Sequence, residues 1–295
     1  MISKIRTDLA SEAHAIWREN AEKTTHLQGV RAESERRGAF LVESVEILDG
    51  RGEAALGKPR GKYICIDLGG YIRREENAFA DACAVLSESL RSMLQMEING
   101  NILVAGLGNR DITPDAVGPD AIDYIMVTRH LKERMPREFA AFRPVSAVCS
   151  GVMGTTGIES GDVIASLCEK IKPSAVIAID ALAARDAGKL CRSVQLADSG
   201  IVPGSGVGNA RKALSCETLG VPVVAIGVPT VVDALTLAQD FGGGDLRLPE
   251  AAREMFVTPR DIDRSVRDIV KLIGYSVNLA LHDGLTIADI DMFIS

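Results

Sequence analysis

The chain has 295 residues, 46% hydrophobic and 25% charged, an ordinary globular composition with enough length for a large core. Its formal net charge of −7, from 33 Lys+Arg against 40 Asp+Glu, gives no support to a nucleic-acid-binding surface. The N-terminus M-I-S-K-I-R-T-D-L-A-S-E lacks the apolar stretch of a signal peptide, and the most apolar long run, Val221 to Ala238, is broken by Pro222, Pro229 and Asp233, so no membrane span is expected. Six scattered cysteines (Cys65, Cys83, Cys149, Cys168, Cys191, Cys216) form no C-x-x-C. Four of them sit in apolar surroundings, which points to reduced thiols in a cytoplasmic protein.

Residues 1–38 are polar and charge-rich, and Ser11 to Asn20 can start a helix within them. Residues 39–48 (A-F-L-V-E-S-V-E-I-L) and 62–68 (K-Y-I-C-I-D-L) alternate apolar and polar and read as two strands joined through D-G-R-G-E. Phe79, Cys83, Leu86, Leu90, Met93 and Leu94 have helical spacing and predict a helix over Asn77 to Met96. Ile102 to Ala105 is a short buried strand, followed by a turn at Gly106, Gly108 and Asn109. Thr113 then offers a cap, Pro114 suits a first helical turn, and the apolar spacing carries this helix to Leu131.

Pro144 to Ser150 reads as a strand, then G-V-M-G-T-T-G-I-E-S-G-D as a glycine-rich loop and Ile158 to Ile171 as a helix. Ala175 to Asp180 (A-V-I-A-I-D) is an apolar strand ending in a carboxylate, and Ser193 to Leu196 a shorter one. I-V-P-G-S-G-V-G-N at 201–209 is a second glycine-rich loop. Val221 to Gly227 is another buried strand, T-V-V-D-A-L-T-L-A opens a helix, and F-G-G-G-D at 241–245 is a break. Thr258 to Asp283 is a long C-terminal helix capped by Thr258, with Pro259 in its first turn. Strands alternating with helices predict an α/β fold: a largely parallel, mixed and twisted sheet with helices on both faces, and a small β-rich layer around 39–68.

Three glycine-rich segments each follow a buried strand, at 106–109, 151–161 and 204–208. Right-handed crossovers place such turns on one sheet edge, where ligands bind in open α/β sheets. The same edge is expected to receive Asp115 and Asp180. Each has a simpler role open to it: Asp180 as a cap for the next helix, Asp115 as a complement to a helix dipole. Held close, two carboxylates cannot both ionise easily. One keeps a proton and acts as an acid, and the other activates water, which is a hydrolase arrangement.

The N–H groups around Gly151, Gly154, Gly204, Gly206 and Asn209 are candidates for holding a substrate backbone or an oxyanion, with plain tight turns as the alternative. Arg185, like Arg211 and Lys212, either binds a substrate carboxylate or solvates a loop. Other signals are weak. G-L-G-N-R-D lacks the third glycine of the dinucleotide fingerprint, and Ser205 lies in G-S-G with no histidine placed to partner it. His14, His26, His130 and His282 form no H-x-x-x-H pair. Thr155, Thr156 and Glu159 read as a capping group for the helix at 158.

Several longer motifs stand in one order. They are I-R-T-D-L-A near the start, G-L-G-N-x-x-x-T-P-D-A-V-G-P at 106–119, R-P-V-S-A at 143–147 and G-V-M-G-T-T-G-I-E at 151–159, then A-I-D-A-L-A-A-R at 178–185, G-S-G-V-G-N-x-R-K at 204–212 and G-V-P-T-V-V-D-A at 227–234. Together they closely resemble the germination proteases of endospore-forming bacteria, over most of residues 5–235 and more weakly over 256–283. The chain departs after Ala238, where that family usually carries a longer segment before V-T-P.

The resemblance implies an atypical aspartic endopeptidase that degrades small acid-soluble spore proteins during germination in the cytoplasm of the spore core. It implies a zymogen, a homotetramer, and a fold shared with hydrogenase maturation proteases. Two essential aspartates of the family fall on Asp115 and Asp180. No cofactor is implied, with a metal ion as the lesser alternative. Residues 1–8 become a propeptide and 9–295 a single protease domain, with self-cleavage between Asp8 and Leu9, because D-L-A-S-E at 8–12 is similar to the acidic-aliphatic-Ala-Ser-Glu run cut in the substrates. The alternatives are a metal-dependent maturation-type endopeptidase of the same fold and a non-catalytic peptide-binding module.

Overall fold

A computed structural model describes residues 7–20, 27–73, 76–94, 100–242 and 255–294. The strands are β1 (Val30–Arg37), β2 (Phe40–Ile47), β3 (Gly61–Asp67), β4 (Ile102–Gly106), β5 (Val145–Cys149), β6 (Ala175–Ala184), β7 (Ser193–Ala197), β8 (Val223–Asp233) and β9 (Phe256–Val257). They form one mixed sheet in the order β1-β2-β3-β7-β8-β6-β4-β5, with β9 paired to β8. The run β8-β6-β4-β5 is parallel, whereas β1, β2, β3 and β7 pair antiparallel and join it through β7 and β8. Parallel strands need crossover segments, and the long connections between β4, β5, β6 and β8 supply them.

Successive residues of a strand face opposite sides of the sheet, and β6 shows this directly. Ile177 and Ile179 pack with Leu86 and Leu90 of helix Ala78–Met93 and with Ile269 and Ile273 of helix Ile262–Leu281. Val176 and Ala178 pack the other way, with Leu103, Ala105 and Ile164, the last from helix Ser160–Ile171. Each fully buried aliphatic side chain contributes roughly 1.5–3 kcal/mol, so the two helical layers hold the sheet on both faces, as the composition allows.

Several elements differ from the sequence expectations. β1 (V-R-A-E-S-E-R-R) has no apolar alternation and is almost wholly exposed. It is an edge strand, recruited by full-length pairing with β2, and its charges suit an edge that must not pair further. The stretch read as a turn after β2 contains helix Gly50–Leu56, started by the Asp49 carboxylate, which accepts from the Arg51 and Gly52 N–H groups. The helix expected to reach Leu131 is broken into a 3-10 turn at Thr113–Asp115, a helix at Val117–Ala121, another 3-10 turn at Ile122–Tyr124 and a helix at Arg129–Arg134. Pro119 removes an N–H donor within that stretch.

β6 does not stop at Asp180 but runs on to Ala184, and β8 runs on to Asp233. Each extends the other, through a bulge at Leu182 and Ala183. Asp180 is therefore a mid-strand residue and caps no helix. The C-terminal helix starts at Ile262, and the Thr258 hydroxyl donates to the Thr230 carbonyl instead of capping it. Helix Ser160–Ile171 likewise has no side-chain cap, since the Thr156 hydroxyl accepts from Ile158 N–H. The break expected at 241–245 falls partly in helix Ala234–Gly242 and otherwise outside the described residues.

Candidate active site

Asp115 is placed by close backbone packing. Gly118 lies against both β4 and β6: a Cβ there would stand 2.2 Å from the Leu107 carbonyl oxygen and 2.3 Å from that of Ile179. The turn bearing Asp115 is thus pressed against the residue next to Asp180. Thr230 of β8 ties it from the other side, its hydroxyl donating to the Pro114 carbonyl at 2.6 Å. The Asp115 carboxylate accepts from Asn109 N–H at 2.9 Å.

Asp180 is buried, 5% exposed, and its Oδ1 accepts from the Ala181 N–H at 2.9 Å. It shares its sheet face with Ala178 and lies in register with Gly227 of β8, which is in turn in register with Gln195 of β7. Burial pushes the Asp180 carboxyl well above the usual carboxylate range, and the neighbouring Asp115 and Asp8 charges push it further. Burial also raises half-buried Asp115, with the Asn109 N–H acting against it. Asp115 stands close enough for its charge to act on Asp180. Burial favours the protonated form more strongly at Asp180 than at Asp115.

The N-terminal segment lies across this face. Asp8 N–H donates to the Ala183 carbonyl at 2.9 Å, as an added strand does. The Asp8 carboxylate accepts from Ala183 N–H and from the Ser205 hydroxyl, both at 2.9 Å. Gln195 Nε2 donates to the Asp8 carbonyl at 3.1 Å, and Gln195 Oε1 accepts from Ala10 N–H at 2.7 Å. Leu9 is fully buried among Leu182, Ala184, Leu190 and Val232. Glu12, 5% exposed, accepts from the backbone N–H groups of Arg185 and Asp186 at 2.8 and 3.0 Å and from the Thr7 hydroxyl. Lys58 donates to the Thr7 carbonyl at 3.0 Å, and burial lowers its pKa while the Asp8 and Glu12 charges raise it.

The other candidates are distributed as follows. The loop after β7 starts at the sheet edge opposite the ends of the parallel strands, because β7 is antiparallel to β8. It doubles back through the Ile201–Leu214 bridge, and this return brings Gly206 against Asp8 and Ala183. Gly204 closes that loop: it is left-handed at φ 72°, and its carbonyl accepts from Asn209 N–H at 2.9 Å. Arg211 approaches Glu159 at 3.7 Å and so joins this loop to the 151–161 loop. The Gly151 carbonyl accepts from the Ser150 and Ser160 hydroxyls, whereas Gly154 lies in helix Met153–Thr156 with open space around it. The Arg185 guanidinium reaches Glu19 at 3.5 Å, and its backbone N–H donates to Glu12. Sequence reading passed over Gln195 and Glu12. The available signal for Gln195 was a lone amide in the apolar strand S-V-Q-L-A. Among the described residues, no group of three or more His, Cys, Asp or Glu side chains could hold a metal ion, and no helix is long and apolar enough to cross a membrane.

Comparison with known proteins bears on this geometry. The profile of the family described as germination protease matches residues 8–242. A germination protease of Caldanaerobacter subterraneus is 38% identical, over 96% of this chain and 95% of its own length. One from Clostridium perfringens is 37% identical over 99% of both. One from Priestia megaterium is 44% identical over 80% of this chain and 65% of its own. Among solved structures, a [NiFe] hydrogenase maturation protease HycI from Thermococcus kodakarensis is similar at a TM-score of 0.36 and 18% identity, over 64% of this chain and 98% of its own; so slight a likeness carries no argument. The length and identity of the sequence matches do: this chain belongs to the germination protease family and is a peptidase.

Proposed function

We propose that this peptidase is an aspartic-type endopeptidase, made as a zymogen, that cuts small acid-soluble spore proteins after an acidic residue. The observation that carries the reading is the lie of the chain's own D-L-A-S-E segment across the sheet face that holds Asp180, with Asp8 close enough to add to the displacement of Asp180. In this reading Asp115 is the ionised partner and takes a proton from the attacking water. Asp180 holds the proton that the leaving amine receives. Ala183 N–H and Ser205 hold the acidic side chain before the cut bond, and the pocket around Leu9 holds the aliphatic one after it.

Cleavage between Asp8 and Leu9 activates the enzyme, and until then the tethered segment occupies the cleft at high effective concentration. Acidification fits as a trigger, since it changes the charge of a coupled carboxylate pair. Assembly as a homotetramer in the spore core belongs to the same reading and is supported by family membership. The test is cleavage of a small acid-soluble spore protein by the processed chain, with Asp115→Asn, Asp180→Asn and chelator controls. Both variants are expected to lose activity by orders of magnitude, and the chelator to have no effect. Near-normal cleavage by either variant removes that residue from the pair, and chelator inhibition returns a metal-dependent mechanism.

A further inference from the structure

We propose that Gln195 is a catalytic residue of this peptidase: its side-chain amide holds the carbonyl oxygen of the bond being cut and stabilises the negative charge that forms there. The proposal rests on the reading of Asp8–Leu9 as a scissile bond.

Gln195 sits in the middle of β7, 7% exposed, on the face shared with Asp180. Gly227 of β8 lies between them in the register row, and the Leu182 side chain packs over it, 2.3 Å from where a Cβ on Gly227 would stand. At about 4.8 Å per strand spacing, the two backbones stand about 10 Å apart. The amide orientation follows from its partners. Ala10 N–H can only donate, so the atom facing it at 2.7 Å is Oε1, and Nε2 is left facing the Asp8 carbonyl at 3.1 Å. The two contacts bracket Leu9: one falls on the carbonyl of the proposed scissile bond and the other on the N–H of the peptide bond after Leu9. A buried glutamine with both ends of its amide on this one segment does more than fill a core. Its donor is aimed at the carbonyl oxygen that turns negative when water adds.

The step balances as follows. Water adds to the Asp8 carbonyl carbon; a C–O bond forms, the carbonyl pair moves onto oxygen, and the water proton goes to the Asp115 carboxylate. Gln195 Nε2–H holds the oxyanion. The C–N bond then breaks as the carbonyl re-forms, and the Leu9 nitrogen takes the Asp180 proton. The products are a carboxyl group on Asp8 and a free amine on Leu9, with Asp115 protonated and Asp180 ionised. A fixed donor at a forming oxyanion is worth roughly 10²–10³ in rate. The glycine loops are not needed for this role.

The test follows processing of the full-length chain by intact mass over a range of pH, for wild type, Gln195→Glu and Gln195→Met, with thermal unfolding measured in parallel. Gln195→Glu keeps the acceptor for Ala10 N–H and, when ionised, loses the donor. Gln195→Met keeps the length and loses both. The expected result is a loss of about 10²–10³-fold for both variants, for Gln195→Glu at pH values above the ionisation of its buried carboxyl, with its deficit narrowing at least about tenfold at lower pH, where a protonated carboxyl donates again. Processing within about threefold of wild type in either folded variant overturns the proposal, the change being too small for a lost oxyanion donor. So does a Gln195→Glu deficit that stays constant with pH, which is the signature of a passive clamp. If Gln195→Met fails to fold, Gln195→Glu alone carries the decision. Should the wild type never be cut between Asp8 and Leu9, the scissile-bond reading fails and this proposal with it, an outcome visible before any variant is compared.

Discussion

Gly108 stands so close to Asp115 that a Cβ on residue 108 would lie 2.1 Å from the Asp115 carbonyl oxygen and 3.0 Å from its Oδ1. Its φ of 112° is also a conformation that other residues rarely adopt. Gly108→Ala is therefore expected to displace Asp115 and lower proteolysis by about 100-fold, a loss typical of roughly 1 Å misplacement of a reacting group. The strain costs about 1–3 kcal/mol of stability. Cleavage kinetics and denaturant unfolding check both, and an alanine variant with wild-type activity would show that Asp115 needs no such constraint.

Asp180→Asn should separate stability from activity. Burial holds the Asp180 carboxyl well above the ordinary carboxylate value of 3.8, so the folded chain retains a proton that the unfolded chain releases. Its stabilising contribution is complete below pH 3.8 and is lost as pH rises through the folded value. Asparagine never ionises. The variant is expected to melt higher than wild type near pH 8, by about 2–4 °C for each kcal/mol gained, with the difference shrinking towards pH 4. A Tm difference independent of pH would mean that Asp180 is not displaced by burial.

The same displacement shapes the pH dependence of cleavage. In the proposed mechanism the competent state carries one proton on the pair, so the rate is expected to fall at acid pH when Asp115 gains a proton and at alkaline pH when Asp180 loses its own. Both groups are raised, so both limbs lie above the ordinary carboxylate value of 3.8. A rate that follows a single ionisation across the whole range would exclude a two-carboxylate site.

Gly206 and Ser205 are expected to govern preference for an acidic residue before the cut bond. A Cβ at Gly206 would fall 2.0 Å from Asp8 Oδ2 and 2.7 Å from the Ala183 Cβ, so it competes directly with the docked carboxylate. Gly206→Ala should slow processing at least about tenfold, through a cost of about 1.4 kcal/mol or more in docking. Ser205→Ala removes one exposed hydrogen bond to Asp8 and should cost only about threefold. Intact-mass time courses decide between them, and equal effects would place the selectivity elsewhere.

Local pattern was enough to make much of this protein legible before its fold was known. The apolar runs at 102–105 and 175–180 are marked as strands by their shortness and β-branched residues, and the spacing of Phe79 to Leu94 and the long C-terminal helix by helical period. Asp115 follows the glycine turn after the first of these runs, Asp180 closes the second, and D-L-A-S-E at 8–12 is recognisable as a string. Pairing between distant segments left no such local trace. β1 is strand only because β2 lies beside it, and β6 continues past Asp180 only because β8 continues too, which turns a supposed helix cap into a buried mid-strand acid. Gln195 meets Asp8 and Ala10 across some 185 residues of chain. A strand's side-chain alternation says which face a residue takes, but only the assembled sheet decides what else arrives on that face. Burial and neighbouring charge, which determine which carboxyl keeps its proton, exist only once that assembly is complete.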